Sequence, residues 1–346
     1  MIYYFTYAAL LSATLIGRSS KDFRNAAYWA SLFSLLLFVG FRYNVGCDWS
    51  GYFKNYYIAD ITTYGDALRT LDPGYWALVV TLRRIGAPYE YLNVATATIF
   101  FIGLHVLARR QPDPMAFLAL CFPILIINMP MSGIRQGAAI GFMCLAFAAF
   151  MDRKLISYLS WIILGSTFHS SILVFLFLAP FVAGRLRSLN ILAAVVISLP
   201  GLYFLMQTDA AALAEERYID SDLVAAGAAF RLALLTASGI FFLRFLSPAW
   251  REEFAEDHKL ASIGSWMMIV TIALISVSTV IGDRFGYYLI PVQAMIFARI
   301  PFLPLGENRR FYSLLPYAAL TLVFVIWTIF SWHFNECYVP YQYNFG

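Results

Sequence analysis

Charge is the scarcest thing in this chain. Only 13% of its 346 residues are Asp, Glu, Lys or Arg, while 61% are hydrophobic; ordinary soluble domains carry roughly 25% charged residues. That shortage excludes a water-solvated surface over most of the length. No polar stretch is long enough to form a separate soluble domain, so residues 1–346 read as a single transmembrane domain. Cysteine is scarce too. The four cysteines lie far apart, with no CxxC pair and no Cys/His cluster, which argues against a zinc site. No periodic repeat or low-complexity segment stands out. The net charge of +4 reflects basic turns between apolar segments, and no nucleic-acid partner is expected from it.

What the chain has instead is a succession of apolar stretches, each near the roughly 20 residues a spanning helix needs. They lie near 2–16, 27–41, 89–108, 114–131, 134–151, 155–169, 171–183, 189–206, 230–246, 263–281, 286–300 and 312–332. Twelve spans make this an all-α polytopic membrane protein. The stretches 155–169 and 171–183 are short and could form one kinked or re-entrant element. Residues 74–86 are also apolar but carry Arg83 and Arg84, which predicts an interfacial helix on the outer face. The first apolar stretch has no positive residue ahead of it, whereas Arg18, Lys21 and Arg24 follow. A cleavable signal peptide has the opposite order, so the segment is expected to be retained, with its start outside. Basic turns at 17–26, 109–113, 152–154, 184–188, 247–261 and 301–310 then fall on the cytoplasmic side. The longest outer loops are 42–88 and 207–229. Cys47 and Cys337 both come out outside and could pair.

Charges near spans carry information because each costs at least ~2.5–3.5 kcal/mol near the bilayer centre. Arg42 ends the second span, Arg135 begins the fifth, His169 sits at the break after the sixth, and Arg284 begins the eleventh. All four come out on the outer side, from four separate regions of the chain, and they meet only if the bundle closes around a shared cavity. Any one arginine could merely snorkel to lipid headgroups. Arg135 and Arg284 are harder to dismiss, because each occupies a short turn on the side where positive charge is under-represented. Arg135 also lies at a helix N-terminus, where the dipole disfavours a cation and favours an anion. An anion bound between these arginines explains the placement, and phosphate or pyrophosphate matches guanidinium bidentately.

The plainer readings stand beside these. His169 can be a satisfied core histidine, and Asp48 a solvated loop acid. Asp72-Pro73-Gly74 reads as an ordinary helix start, and Asp283 can simply pair with its neighbour Arg284. His105, His258 and His333 suggest no special role. Asp220-Ser221-Asp222 matches a nucleotide-sugar metal motif only as a tripeptide, in an acidic outer loop where such donors are absent. Outer-loop Trp49, Tyr52, Tyr56, Tyr57, Tyr75, Tyr338, Tyr341 and Tyr343 fit an interfacial aromatic belt, and a few could stack on sugar rings.

The string GFRYNVGCDWSGYFKNY resembles the arginine, G-x-D-[aromatic]-x-x-Y signature of EpsG-type membrane proteins, which belong with the Wzy-like polysaccharide polymerases. DPGYW, SGIRQGAAIGF, FHSS and DRFGYY follow in the expected order, so the likeness covers nearly the whole chain. Trp49 stands where tyrosine is common, a conservative departure. The resemblance implies a fold similar to the class C glycosyltransferases of the ligase and polymerase type. It implies a polymerase in the bacterial inner membrane, with its site facing outside and no cofactor. Such an enzyme moves a growing glycan from undecaprenyl diphosphate to a hydroxyl of another lipid-linked repeat. Carried over by position, Arg42, Asp48, Tyr52, Arg135, Gln136, His169, Arg284 and Tyr287 become the candidate site. A flippase and a chain-length regulator are plausible partners by resemblance, besides membrane lipid.

The chemistry fits the residues. A glycosyl diphosphate carries a good leaving group, so the enzyme must neutralise the departing pyrophosphate and take a proton from the attacking hydroxyl. Arg135 and Arg284, with Arg42, can do the first without a metal. Asp48 or His169 can do the second. Single displacement would invert the anomeric centre. An O-antigen ligase-like enzyme shares this logic but usually carries a large outer loop late in the chain, and here the long outer loops fall in the first two-thirds. A transporter of the same lipid predicts midplane charges related by internal repeats, which the chain does not show clearly.

Overall fold

The computed structural model describes residues 1–16, 20–183, 192, 227–276 and 278–345. The architecture is all-α, as expected. Helices occupy Ile2–Ile16, Lys21–Gly40, Glu90–Ala108, Pro114–Cys121, Ile134–Met151, Leu155–Ser166, Ala228–Phe241, His258–Val270, Thr279–Arg299 and Arg309–Phe330. Five helical segments are long and apolar enough to cross a membrane: Glu90–Ala108, Ile134–Met151, Ala228–Glu253, His258–Ser276 and Gly306–Phe330. The chain is a membrane protein. The expected span 189–206, most of the loop 207–229 and Asp220-Ser221-Asp222 lie outside the described residues.

The helix Ile134–Met151 is the most enclosed of the five, packed between Glu90–Ala108 and Leu155–Ser166. Its sequence explains the fit. Gly137 and Gly141 stand one turn apart, and a Cβ at Gly103 on the neighbouring helix would collide with the Gly141 carbonyl. Small residues let two backbones approach where lipid supplies no hydrophobic drive between helices. Leu155–Ser166 and the 3-10 segment Ser170–Leu178 are two elements broken at His169.

Residues 42–88 are mostly helical rather than an open loop. Helices Trp49–Ile58, Tyr64–Leu68 and Pro73–Arg84 fill this region. Arg83 closes the end of the first of them. Its guanidinium donates to the carbonyls of Asn55 (2.9 Å), Ala59 (3.1 Å), Ile61 (3.0 Å) and Tyr56, oxygens at and just beyond the helix C-terminus, where intrahelical partners run out. Cys47 and Cys337 form a disulfide with Cα atoms 4.7 Å apart. Beside it the two-residue strands Arg42–Tyr43 and Gln342–Tyr343 pair antiparallel, with Arg42 opposite Tyr343. Gly46 makes this crossing possible. It has φ 105°, and a side chain there would strike the Met131 carbonyl.

Candidate active site at the arginine end of the bundle

Two helices deliver the central arginines. Arg135 is the second residue of Ile134–Met151, and Arg284 lies in the second turn of Thr279–Arg299, whose start is capped by Ser278. A third segment arrives sideways. Asp72 precedes the helix Pro73–Arg84, but its side chain makes no cap hydrogen bond. Gly74 sets the placement of this helix. Its amide and that of Tyr75 both donate to the Thr167 carbonyl, at 2.8 and 3.2 Å, and any Cβ on residue 74 would overlap Thr167. The helix start is therefore pressed against residues 167–170, which leaves the Asp72 carboxylate facing Arg135.

The contacts form a continuous chain. Arg135 Nη1 lies 2.5 Å from Asp72 Oδ2, and its guanidinium sits 5.7 and 5.6 Å from the ring centres of Tyr52 and Tyr75. Two aromatic faces and a carboxylate thus surround one cation. Gln136, 1% exposed, turns the other way, as the 100° step between successive helical residues requires. Its Nε2 donates to the Arg284 carbonyl at 2.6 Å, and its Oε1 accepts from Arg284 Nη1 at 3.4 Å. Arg284 Nη1 also faces His169 Nε2 at 3.4 Å. A guanidinium only donates, so Nε2 accepts from Arg284, and on the other side of the ring Nδ1 faces the Ser171 amide at 3.4 Å, which donates to it. Nδ1 also lies 2.8 Å from Ser171 Oγ, which in turn lies 3.0 Å from Tyr288 Oη. Tyr52, Arg135, Gln136, His169 and Arg284, all expected site residues, are connected.

Burial pushes the Asp72 carboxyl up from its ordinary range; Arg135, the Ser170 amide and Arg284 oppose the shift without cancelling it. A carboxylate with a raised pKa is a stronger base at neutral pH.

Three expected residues sit differently. Arg42 is fully buried and surrounded by oxygens of its own chain: Val39 O at 2.6 Å, Met131 O at 2.8 Å, Val45 O at 3.1 Å and Asn93 Oδ1 at 3.3 Å. It fastens the loop after the second helix to the turn before the fifth. Asp48 is exposed at the start of Trp49–Ile58. Its amide donates to Ser132 Oγ at 3.2 Å, and its carboxylate accepts no hydrogen bond from the described residues. Tyr287 lies under Arg231, 5.5 Å from the guanidinium. Asp283 pairs with that same Arg231, at 2.7 and 2.8 Å, and not with the adjacent Arg284. Asp72, Ser171 and Tyr288 are members of the cluster that sequence reasoning missed. The signal for Asp72 was its place in DPGYW: an Asp before Pro-Gly reads as a cap, which hides a carboxylate aimed elsewhere.

Close by, an apolar cavity of about 380 Å³ runs between Pro123, Ile124, Phe324, Trp327 and Phe330. Arg231, whose partner Asp283 precedes Arg284 in the chain, is also part of its lining.

A family model described as EpsG family matches residues 25–343, nearly the whole chain. No curated protein and no solved structure matches it.

Proposed function

We propose, from the premise that this chain belongs to the EpsG family of Wzy-like polysaccharide polymerases, that it polymerises lipid-linked oligosaccharide repeats. It transfers a glycan from undecaprenyl diphosphate to a hydroxyl of another lipid-linked repeat. The observation that carries this reading is the convergence of Arg135 and Arg284 from two helices, tied together by the double contact between Gln136 and Arg284. In the displacement, the acceptor oxygen forms a bond to the anomeric carbon. The bond from that carbon to the diphosphate oxygen breaks, and the diphosphate leaves with the electron pair. Two preorganised guanidiniums meet the charge that develops there, and removing one such donor elsewhere typically costs 10²–10³ in rate. The half-buried Tyr52 offers a ring face for the sugar, with Tyr75 buried beside Arg135, and Arg42 holds the segment that carries Tyr52 in place. The apolar cavity beside Arg231 suits an isoprenoid tail entering from lipid. Twelve membrane crossings, a class C-like arrangement, an outward-facing site in a bacterial inner membrane and inversion at the anomeric carbon complete the proposal.

The test uses purified protein in detergent with a synthetic polyprenyl-diphosphate repeat unit, followed by mass analysis. A ladder of longer glycans on polyprenol, lost with Arg135→Ala and Arg284→Ala, is expected. Glycan moved to another carrier would point to a ligase. No ladder, with the lipid instead crossing proteoliposomes, would replace the proposal with a transporter.

A further inference from the structure

We infer that Asp72, held by Arg135, is the base that takes the proton from the acceptor hydroxyl; this rests on the polymerase reading above. The two residues that the sequence offers for the role are both placed less well. His169 directs Nε2 at Arg284, a donor that competes for the lone pair a base needs. Asp48 is exposed and hydrogen-bonds to neither arginine. Asp72 is 7% exposed and unused as a helix cap. It is gripped through Oδ2 by Arg135 and also accepts from the Ser170 amide; a carboxylate has more lone pairs than these two bonds use, so Oδ1 can still take a proton. Tyr52, half-buried, stands beside the same arginine, where a sugar ring could rest next to the carboxylate, and Tyr75 is buried beside that guanidinium.

The balance of the step is simple. The hydroxyl proton passes to Asp72 Oδ1 as the oxygen bonds to the anomeric carbon, and the electron pair of the broken bond leaves with the diphosphate. The protonated carboxyl then returns its proton to water at the outer surface. Arg135 serves both events. One nitrogen orients Asp72, and other N–H groups of the same guanidinium remain for the departing diphosphate. Burial raises the affinity of Asp72 for a proton, so its ionised form is lost at a pH above the ordinary carboxylate value of about 3.9.

The experiment compares wild type, Asp72→Asn, Asp72→Glu and Arg135→Ala in two assays. One measures elongation of the synthetic repeat between pH 4.5 and 8. The other measures binding of undecaprenyl diphosphate without glycan, read as a thermal shift. Expected for Asp72→Asn is unchanged binding with kcat down on the order of 10²–10⁴-fold. Wild type should lose rate as pH falls, Asp72→Glu should keep that acid limb, and the residual rate of Asp72→Asn should lack it. Arg135→Ala should lose binding. Elongation by Asp72→Asn at the wild-type rate would overturn the inference and leave the polymerase reading intact. Loss of binding in Asp72→Asn equal to that in Arg135→Ala would also overturn it, making Asp72 a positioning residue for Arg135. No elongation by wild type would defeat the polymerase reading itself.

Discussion

The two ends of the bundle use arginine in opposite ways. The helices Ile134–Met151 and Thr279–Arg299 both start at the candidate site and run to the far end, where Asp152 and Arg299 lie. There, Arg299 is 2% exposed. It donates to Asp257 at 2.6 Å and Gln111 at 2.8 Å, and packs 5.3 Å from Trp250 and 4.7 Å from Phe254. Arg110 grips Asp152 through both nitrogens at 2.7 and 2.8 Å. At the site end, Arg135 is 34% exposed, holds Asp72 through one nitrogen, and has an Nε with no hydrogen-bond partner among the described residues. A guanidinium saturated by its own chain serves as a fastening, and one with donors left over can serve a ligand. Arg42 shows that the division is not simply geographic, since it lies close to the site and is saturated.

The comparison can be broken by substitution. The largest expected effect on stability is from Arg299→Ala, which leaves Asp257 and Gln111 without their partner. Removing one member of a buried pair costs about 3–5 kcal/mol, seen as a fall in Tm of the detergent-solubilised protein. Arg284→Ala should do the reverse: elongation falls on the order of 10²–10³-fold, about 2.7–4 kcal/mol in barrier, with Tm little changed. A large Tm loss there would erase the distinction between the two ends. Arg42→Lys should fall between them. A lysine cannot reach four oxygens in a fork, and losing charged hydrogen bonds costs about 1.5–3 kcal/mol, so stability and activity should decline together. Arg110→Ala should matter least. That pair is 31% and 30% exposed, and exposed pairs contribute roughly 0–1 kcal/mol, a shift to be read by the same melting measurement.

Much of this was legible in the sequence because apolar length and basic turns are read directly by a membrane. Most of the described helices overlap the expected stretches, five of them long and apolar enough to cross a membrane, and the break at His169 was visible as two short apolar halves. Placing Arg42, Arg135, His169 and Arg284 at one side pointed to a shared cluster, which holds for Arg135, His169 and Arg284 but not for Arg42; Gln136 came with the family resemblance. Pairings were not legible. Asp283 sits next to Arg284 in sequence, yet adjacent helical residues point about 100° apart, and Asp283 reaches Arg231 instead. Arg42 looked like a ligand-binding arginine because its four oxygen partners are carbonyls and an amide, which no sequence pattern displays. Asp72 looked like a cap because its neighbours Pro73 and Gly74 start a helix, and the role of Gly74 against Thr167 is a tertiary fact.

The crossing of Arg42–Tyr43 with Gln342–Tyr343 bears on the order in which the protein is made. The segment that carries Asp48 and Tyr52 leaves the ribosome well before its partners, since 290 residues separate the two cysteines of the disulfide. Asn344 donates to Phe41 O at 2.9 Å, Gly46 to Cys337 O at 2.6 Å, and Tyr341 to Phe38 O at 2.6 Å. The ties that hold this segment are complete only when residues 337–344 arrive, so a chain still being synthesised lacks them. For the same reason, trimming a few residues from this tail should disturb the site more than an equal cut in the turn 152–154, although the tail contributes no side chain to the arginine cluster.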